Sequence, residues 1–284
     1  MKIGRYEIIP IETGRFALDG GAMFGVVPKN LWSRKIPADE NNRVELASRA
    51  LLLKNSDRLV LIDTGIGDKF DDKLSAIYKI DHSQYSIKKS LAEHDIRPES
   101  ITDVIITHLH FDHVGGATFV EEGNLKLTFP NARHYIQERQ WNCANNPCEK
   151  DRASFYEEDF RLIEKKEKLN RLRKAGSILP NIETIVVDGH TPGMQLVKIA
   201  DANKTLLFCS DLIPTASHIP IPWIMSYDNH PMITLEEKRT ILQKAVEQEW
   251  ILFFEHDPTI IWGAARLTDK GYQLDTEQSI DQLI

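Results

Sequence analysis

The sequence predicts a mixed α/β protein in which short strands alternate with amphipathic helices. Short runs rich in Val, Ile, Leu and Phe, bounded by turn residues, indicate the strands. Apolar residues at helical spacing indicate the helices between them. Of the 284 residues, 42% are hydrophobic, which is enough to bury a substantial core. No Pro/Gly/Ser-rich linker divides the chain, so we expect one domain over residues 1–284.

The strand-like segments share a length of four to seven residues and a content of branched or aromatic side chains. They are residues 5–11, 49–53, 58–63, 103–107, 125–129, 133–137, 184–187, 196–199, 205–210 and 251–255. Helical spacing occurs at residues 86–94, 159–173 and 234–250. The last segment opens with Thr234 and has Glu237 three residues on, which predicts a capping box. Residues 140–174 interrupt the strand pattern and predict an inserted helical segment.

Charge and composition argue against several classes of partner. The net charge is -7 and no basic block stands out, so a nucleic-acid partner is disfavoured. Arg5 and Glu7 interrupt the N-terminal segment before a signal-peptide core could form, and no apolar run is long enough for a membrane span. The 3 cysteines do not imply a disulfide framework. We expect a cytoplasmic protein that binds a small molecule.

A dense cluster of candidate metal ligands follows the apolar run at residues 104–106. His108, His110, Asp112 and His113 form an HxHxDH pattern. Only 10 of the 284 residues are histidine, so composition does not account for this density. Imidazole and carboxylate are common metal ligands, and the cluster therefore predicts a metal site.

Three later strands also end in residues that can bind a metal. His190 follows the run at 185–187, Asp211 follows 206–208, and His256 follows 251–254. Side chains at strand ends are held by a rigid scaffold, and loops there commonly carry chemistry. We expect these residues to complete the site begun by the HxHxDH cluster.

Together with the run from Leu59 to Gly65, which contains Asp63, these motifs resemble the metallo-β-lactamase superfamily over nearly the whole chain. The resemblance implies a four-layer αββα sandwich with metals at one edge of two sheets. Within the superfamily, the chain looks most like the branch of N-acyl homoserine lactone lactonases and phosphotriesterase-like hydrolases.

The resemblance also implies a ligand set for two divalent metal ions. One ion would be bound by His108, His110 and His190, the other by Asp112, His113 and His256, with Asp211 bridging both. Asp63 would orient the ligands, although an ordinary turn-forming Asp is an equal alternative. Zinc is the metal expected first, and Fe²⁺, Mn²⁺ or Co²⁺ suit the same donors.

The implied reaction is hydrolysis of a lactone or carboxylic ester by a hydroxide shared between the two metals. Asp112 is the candidate for passing a proton to the leaving group. Three alternatives stay open: a phosphotriesterase-like hydrolase, a glyoxalase II-type thioesterase, and a non-enzymatic binding protein of the same fold.

Two apolar loops are candidates for the substrate pocket. Met23, Phe24 and Trp32 lie in the first, and Trp223 lies in the second. The alternative is that these side chains complete the core or a subunit contact, and an exposed loop of this kind is compatible with a homodimer.

The loop after Asp211 departs from the lactonases that the chain resembles. Pro214 stands where many of them carry a tyrosine, three residues after the bridging aspartate. His218, seven residues after Asp211, is the candidate that could donate a hydrogen bond to an oxyanion instead. The alternative for His218 is a packing residue.

Overall fold

The computed structural model describes residues 1–276, which form two compact units of interleaved segments. The central unit consists of Arg5–Phe16 and Ala47–Lys174, and the C-terminal unit consists of Met1–Gly4, Ala17–Leu46 and the chain from Ala175 onward. Neither unit is one continuous stretch of chain. The single-domain assignment over residues 1–284 stays a prediction.

The strands are given in chain order for the described residues. They are β1 (Lys2–Ile3), β2 (Tyr6–Asp19), β3 (Arg43–Lys54), β4 (Leu59–Ile62), β5 (Asp103–Ile105), β6 (Thr118–Glu121), β7 (Asn124–Leu127), β8 (Arg133–Gln137), β9 (Leu169–Leu172), β10 (Gly176–Leu179), β11 (Ile182–Val187), β12 (Met194–Ala200), β13 (Thr205–Phe208), β14 (Ile251–Phe253), β15 (Trp262–Gly263), β16 (Ala265–Thr268) and β17 (Gly271–Leu274).

The helices lie between these strands, and most are short. They are α1 (Gly20–Phe24), α2 (Lys29–Trp32), α3 (Asp72–Tyr78), α4 (Ile87–Ala92), α5 (Phe111–Val114), α6 (Glu138–Asn145), α7 (Glu157–Lys165) and α8 (Pro231–Glu247). Within residues 1–276, no helix combines the length and the apolar character needed to cross a bilayer.

In the central unit, β2, β3, β4, β5, β8 and β9 are neighbours in that order in one sheet. Strands β4, β5, β8 and β9 run parallel, and Ile62 at the end of β4 is in register with Ile105 at the end of β5. Parallel strands in register end at the same edge of a sheet. The residues after β4 and after β5 therefore emerge side by side.

In the C-terminal unit, strands β10 to β15 form one sheet in sequence order. Strands β13 and β14 are parallel, with Phe208 opposite Phe253 at their ends. Strand β11 is antiparallel to β12, which is antiparallel to β13. The carboxyl ends of β11, β13 and β14 consequently lie at one edge, where residues 190, 211 and 256 follow.

Each unit has its own apolar core beneath its sheet. The central core includes Leu52, Leu61 and Val104 from the strands, and Phe160 from α7 packs against them. The C-terminal core joins Leu207 and Leu252 to the apolar face of α8, which carries Leu242. All seven of these side chains are fully buried. The strand ends are thus anchored by packed scaffolds.

The mixed α/β class is confirmed, and its several sheets are consistent with the predicted αββα sandwich. The predicted helix at 159–173 is wrong in its second half. Helix α7 ends at Lys165, and β9 then joins the central sheet beside β8. The segment at about 140–174 is therefore only partly helical. The mixed charges of this stretch resemble those of a surface helix, and the strand at the edge of the sheet was therefore not predicted.

The capping box predicted at Thr234 and Glu237 is also wrong. Helix α8 begins earlier, at Pro231, a residue that is favourable in a first helical turn. Thr234 lies inside the helix, and the Glu237 carboxylate instead accepts hydrogen bonds from the backbone N–H groups of Asp188 and Gly189, at 2.7 and 3.0 Å. Glu237 therefore holds the loop that leads into His190.

Candidate metal centre

Asp63 organises the central cluster from the end of β4. Its side chain is fully buried and accepts hydrogen bonds from the Thr107 backbone N–H at 2.7 Å and from the Thr107 hydroxyl at 2.6 Å. Its φ of 57° lies in the left-handed region, which costs free energy for a residue other than glycine. The hydrogen bonds offset this strain and fix the start of the HxHxDH loop. These contacts favour the orienting role over a simple turn.

His113 is held by the same carboxylate. Its Nδ1 lies 3.1 Å from Oδ2 of Asp63, and its Nε2 lies 3.8 Å from Oδ2 of Asp112. A carboxylate on one ring nitrogen fixes the tautomer and leaves the other nitrogen with its lone pair toward a metal. Asp63 therefore presents Nε2 of His113 on the side where Asp112 lies.

The rings of His108 and His110 meet edge to face. Nε2 of His108 lies 3.1 Å from Nδ1 of His110, and Nδ1 of His108 lies 3.1 Å from the Thr107 hydroxyl. The ring centroids of His108 and His113 are 3.9 Å apart. These two nitrogens can share a hydrogen bond in one choice of tautomers, and imidazole nitrogens that converge in this way can also bind a cation through their lone pairs.

Asp211 is the centre of the cluster in the C-terminal unit. Its Oδ2 lies 3.1 Å from Nε2 of His190, and its Oδ1 lies 3.2 Å from Nε2 of His256. The three side chains are buried. Each carboxylate oxygen thus faces a different imidazole, so Asp211 joins the two histidines in one buried cluster.

Asp228 orients His190 as Asp63 orients His113. Its Oδ1 lies 3.0 Å from Nδ1 of His190, and both side chains are buried. Sequence reasoning missed this residue, because an isolated aspartate far along the chain from His190 carries no pattern. Sequence reasoning also missed Thr107 as the partner of Asp63, because the two residues lie 44 positions apart in the chain.

Backbone contacts also hold the His190 loop. The carbonyl of His190 accepts a hydrogen bond from the N–H of Asn229 at 3.0 Å, and that of Gly189 accepts one from the N–H of His230 at 2.8 Å. A Cβ at Gly189 would lie 2.5 Å from the backbone nitrogen of Thr234, so only glycine permits this approach of the loop to α8.

The structure places every predicted ligand in a segment that follows a strand, with Asp112 and His113 in the short helix α5, and all are buried. The central unit brings together four of them, which are His108, His110, Asp112 and His113. The C-terminal unit brings together His190, Asp211 and His256. Each unit thus contains a buried His/Asp cluster, and the donors suit a dinuclear metal site.

His218 has a different environment from the one predicted. Its Nδ1 lies 2.8 Å from the Thr215 hydroxyl, its Nε2 lies 2.9 Å from the Met23 carbonyl oxygen, and its ring stacks on Phe24. Burial lowers the pKa of His218 to about 3, so the ring is neutral. Because both nitrogens are engaged within the protein, these contacts argue against His218 as an oxyanion donor and support the packing alternative.

The first predicted pocket loop is not exposed. Residues 20–24 form helix α1, whose N-terminal N–H at Ala22 is capped by Asp19, and Met23, Phe24 and Trp32 are each no more than 1% exposed. Phe24 stacks between Trp32 and His218 with centroid distances of 5.3 and 4.7 Å. These contacts make the three residues part of the core. The expectation of an exposed apolar loop is therefore wrong.

Trp223 differs from the other three predicted pocket residues. It is half-buried, packs edge-on against Phe24 at 5.9 Å, and lines a groove of about 700 Å³ within the C-terminal unit. The groove also contacts Ile221, Pro222 and Tyr272. Contact between Trp223 and the substrate stays a prediction.

The α/β fold, with His/Asp clusters at its strand ends, defines a metal-binding protein. The chain belongs to the metallo-β-lactamase superfamily, whose family model matches residues 43–256. It is a metal-dependent hydrolase of this superfamily, and the suspected family is confirmed.

Relatives agree with this assignment. A solved structure of a probable metal-dependent hydrolase from Staphylococcus aureus superposes with a TM-score of 0.85 at 28% identity, covering 98% of this chain and 100% of that one. AidC, a dizinc quorum-quenching lactonase, superposes with a TM-score of 0.81 at 22% identity, covering 99% and 97%. A probable metallo-hydrolase of Mycobacterium bovis is 21% identical over 245 residues, 76% of each chain.

Proposed function

We propose that this protein hydrolyses a lactone or carboxylic ester at a centre of two divalent metal ions, with zinc the expected metal. The observation that carries the proposal is the environment of Asp211, whose two oxygens lie 3.1 and 3.2 Å from the Nε2 atoms of two different histidines. Carboxylates on the outer nitrogens of His113 and His190 add the support that metal-ligating histidines commonly have.

In this proposal the two clusters contribute to one centre. His108, His110 and His190 would hold the first ion, Asp112, His113 and His256 would hold the second, and Asp211 would contribute to both. All of these side chains lie within residues 43–256, the part of the chain that matches the family model.

Bound dications would supply a nucleophile at neutral pH by lowering the pKa of water, and would polarise the scissile carbonyl. The side chains of the protein divide the remaining tasks. Asp63 and Asp228 keep the imidazoles of His113 and His190 in one tautomer and one orientation. Asp112, buried beside His113, would transfer the proton to the departing alcohol oxygen.

The choice of lactone or ester rests on similarity to other proteins. AidC is a lactonase whose structure contains a product, and an N-acyl homoserine lactone hydrolase with N-hexanoyl-L-homoserine at its catalytic metal centre superposes with a TM-score of 0.69 at 20% identity. Both bind small molecules with an ester-derived carboxylate and an acyl chain. An ester of comparable size is the substrate class that we propose.

A substrate panel on zinc-loaded protein tests the proposal. It should contain an acyl homoserine lactone, a simple γ-lactone, an aryl ester, a phosphotriester and a glutathione thioester. We expect the highest kcat/KM for a lactone or the aryl ester. A clear preference for the phosphotriester or the thioester would contradict the proposed substrate class.

Matched variants test the centre itself. We expect bound metal and activity to be lost together in each of three variants, His110→Ala, His190→Ala and Asp211→Ala. His110 belongs to the central unit, whereas His190 and Asp211 belong to the C-terminal unit. His94→Ala is the control, because His94 is a half-buried histidine on no metal cluster of the described residues. Full activity in a variant that has lost its metal would contradict the mechanism.

A further inference from the structure

A buried ion pair in the central unit joins helix α7 to the segment that follows β4. Nζ of Lys69 lies 3.0 Å from Oδ1 of Asp159, a residue of α7. Each of the two side chains is only 5% exposed. A buried ion pair contributes little net stability, because the loss of hydration offsets the attraction between the charges. The groups that this pair holds together are therefore its more informative property.

The Lys69 ammonium group also donates hydrogen bonds to two backbone carbonyl groups. Its acceptors are the carbonyl oxygen of Gly115 and that of Thr118, the latter at 3.0 Å. An ammonium group has three N–H donors, and the carboxylate and the two carbonyls supply three acceptors. Both carbonyls belong to residues 108–118, here called the ligand segment because it carries the HxHxDH cluster. Lys69 thus links helix α7 to the end of the ligand segment.

The segment that carries Lys69 lies in direct backbone contact with the ligand segment. The His113 carbonyl oxygen accepts hydrogen bonds from the Thr64 backbone N–H at 2.8 Å and from the Thr64 hydroxyl at 3.0 Å. A Cβ at Gly67, where φ is 70°, would lie 2.4 Å from a backbone carbonyl oxygen of the ligand segment. Because packing this close leaves no gap to absorb a shift, movement of one segment displaces the other.

Helix α7 contacts the ligand segment at a second point. The Thr118 hydroxyl donates a hydrogen bond of 2.8 Å to the carbonyl oxygen of Glu158, the residue before Asp159. The helix and the segment are therefore joined by one neutral hydrogen bond and by the charged group of Lys69. Hydrogen bonds to a charged group are about twice as strong as neutral ones, so Lys69 makes the stronger link.

The charge of Asp159 depends on pH near neutrality. Burial raises the pKa of Asp159 to about 6, and the nearby charge of Lys69 opposes this rise, while Glu158 adds to it. The carboxylate is therefore ionised at pH 8 and mostly protonated at pH 5. In the protonated form it no longer supplies the negative charge that faces the ammonium group.

Ionisable groups also lie beside Asp159 on its own segment and on α5, β6 and β7, which pack against the helix. They are Glu158, Tyr156, Asp112, His113, Glu121 and Lys126. Glu121 and Lys126 pair with each other. Lys69 is the cation that pairs with Asp159, so protonation of the carboxylate acts directly on Lys69.

We propose that Lys69 is a positioning residue of the metal centre, which Asp159 holds in place to fix the end of the ligand segment. This inference rests on the proposed function and deepens it. Asp112 and His113 lie within six residues of both carbonyls that Lys69 holds. Without the ammonium group these carbonyls lose a donor, and the ligands are held less firmly in the geometry that binds metal. Lys69 itself contacts neither the metal nor the substrate.

Zinc affinity tests this inference separately from turnover, by competition with a chromophoric chelator. The variants are Lys69→Met, which keeps much of the apolar stem, and Asp159→Asn, which removes only the charge. Asp103→Asn is the matched control, because Asp103 is also a buried carboxylate paired with a cation, Arg58, at 2.8 Å. It lies at the start of β5, whereas the ligand segment follows the end of that strand. Thermal unfolding of each variant establishes that it is folded.

At pH 8 we expect zinc affinity to fall by about 10- to 100-fold in Lys69→Met and by about 10-fold in Asp159→Asn, the range found when a residue that orients metal ligands is lost. Asp103→Asn should bind zinc as the wild type does, whatever its loss of stability. Asp159→Asn alone decides the question if Lys69→Met does not fold.

The pH dependence distinguishes a role of the Asp159 charge from a general structural role. Protonation of the imidazole ligands weakens zinc binding to the wild type and to Asp159→Asn alike, so it cancels in the ratio of their zinc affinities. Below about pH 6 the wild-type carboxylate is protonated and resembles the amide. The ratio should therefore fall from about 10 at pH 8 toward one at pH 5.

The inference fails alone if the wild type binds zinc and both test variants match Asp103→Asn in zinc affinity. It also fails alone if the ratio of wild-type to Asp159→Asn affinity is the same at pH 5 and at pH 8, because the charge would then have no part in holding the ligand segment. A wild type that binds no zinc would contradict the proposed metal centre, and the inference with it.

Discussion

At the scale of single residues, the candidate centre depends on carboxylates that do not bind metal. Asp63 and Asp228 each lie about one hydrogen-bond length from the outer nitrogen of a histidine, at 3.1 and 3.0 Å. Each is buried, so its charge acts on the imidazole with little screening by water. The two units thus use the same device to fix His113 and His190.

Asp228→Asn tests this device. An amide at position 228 keeps the size of the side chain but removes the negative charge beside Nδ1 of His190. We expect zinc affinity to fall by about 10- to 100-fold, the usual effect of losing such a partner. Competition with a chromophoric chelator measures the affinity. Asp269→Asn, on an exposed turn, is the control, and equal affinity in both variants would show that Asp228 does not support the ligand.

The burial of His134 predicts that the free energy of unfolding depends on pH. Its imidazole is fully buried in β8, and burial lowers its pKa from the ordinary value of 6.5 to about 4. Between these two values the unfolded chain binds the proton more strongly than the folded protein does. The free energy of unfolding should therefore fall as the pH decreases from 6.5 to 4, by about 3 kcal/mol from this group.

His134→Gln should remove that part of the pH dependence, whatever its effect on stability at pH 7. Urea unfolding at intervals between pH 4 and pH 7 provides the measurement, and His94→Gln is the control for loss of a histidine. Parallel stability curves for the His134 variant and the wild type would rule out a neutral, buried imidazole.

At the scale of elements, helix α8 holds two loops of the C-terminal unit through hydrogen bonds from its side chains. The Glu237 carboxylate accepts hydrogen bonds from the backbone N–H groups of Asp188 and Gly189. The Lys238 ammonium group donates hydrogen bonds of 2.8 to 3.3 Å to the carbonyl oxygens of Pro220, Ile221 and Trp223. Two adjacent side chains of one helix therefore hold the loops on either side of the cluster. Loop geometry in this region depends on α8.

Glu237→Ala tests the hold on the His190 loop. Removing the half-buried carboxylate leaves two backbone N–H groups without their acceptor, which should lower the free energy of unfolding by about 1–3 kcal/mol and weaken zinc binding. Glu236→Ala is the control, because Glu236 is exposed and pairs only with Arg239 on the surface. Similar unfolding and zinc titrations for the two variants would contradict this account.

Lys238→Met tests the hold on the second loop. Lys238 is fully buried, and burial lowers the pKa of its ammonium group to about 7. Methionine keeps much of the apolar stem but leaves three carbonyl groups without their donor, so we expect a loss of about 1–3 kcal/mol in denaturant unfolding. Lys244→Met, exposed on the same helix, should be neutral. Equal stability of both variants would show that the ammonium group does not hold the loop.

At the scale of the whole molecule, sequence predicted the fold class and the residues at the strand ends. The HxHxDH pattern and the apolar runs are local signals, and their positions after β5, β11, β13 and β14 follow from chain order. Strand β9 was missed because a partly exposed edge strand can carry charges like those of a surface helix. Burial of Met23, Phe24 and Trp32 could not be read locally, because it depends on the distant His218.

Contacts between distant residues also decided which side chains support the site. Asp228 is 38 positions from His190, so this pairing leaves no signal in the local sequence. Sequence identified the candidate ligands and, by resemblance, Asp63 as an orienting residue, whereas only the structure identified Asp228 and Thr107. The exposure of the first apolar loop is the expectation that the structure contradicts, because Met23, Phe24 and Trp32 are buried.

The central claim is that one chain binds two metal ions through seven side chains, with Asp211 shared between them. Its most direct test is the metal content of protein made in zinc-supplemented medium and freed of loosely bound ions. The account predicts close to two equivalents of zinc per chain in the wild type, and a loss of metal together with lactonase activity in Asp211→Ala. Less than one equivalent of any transition metal in the wild type would contradict it.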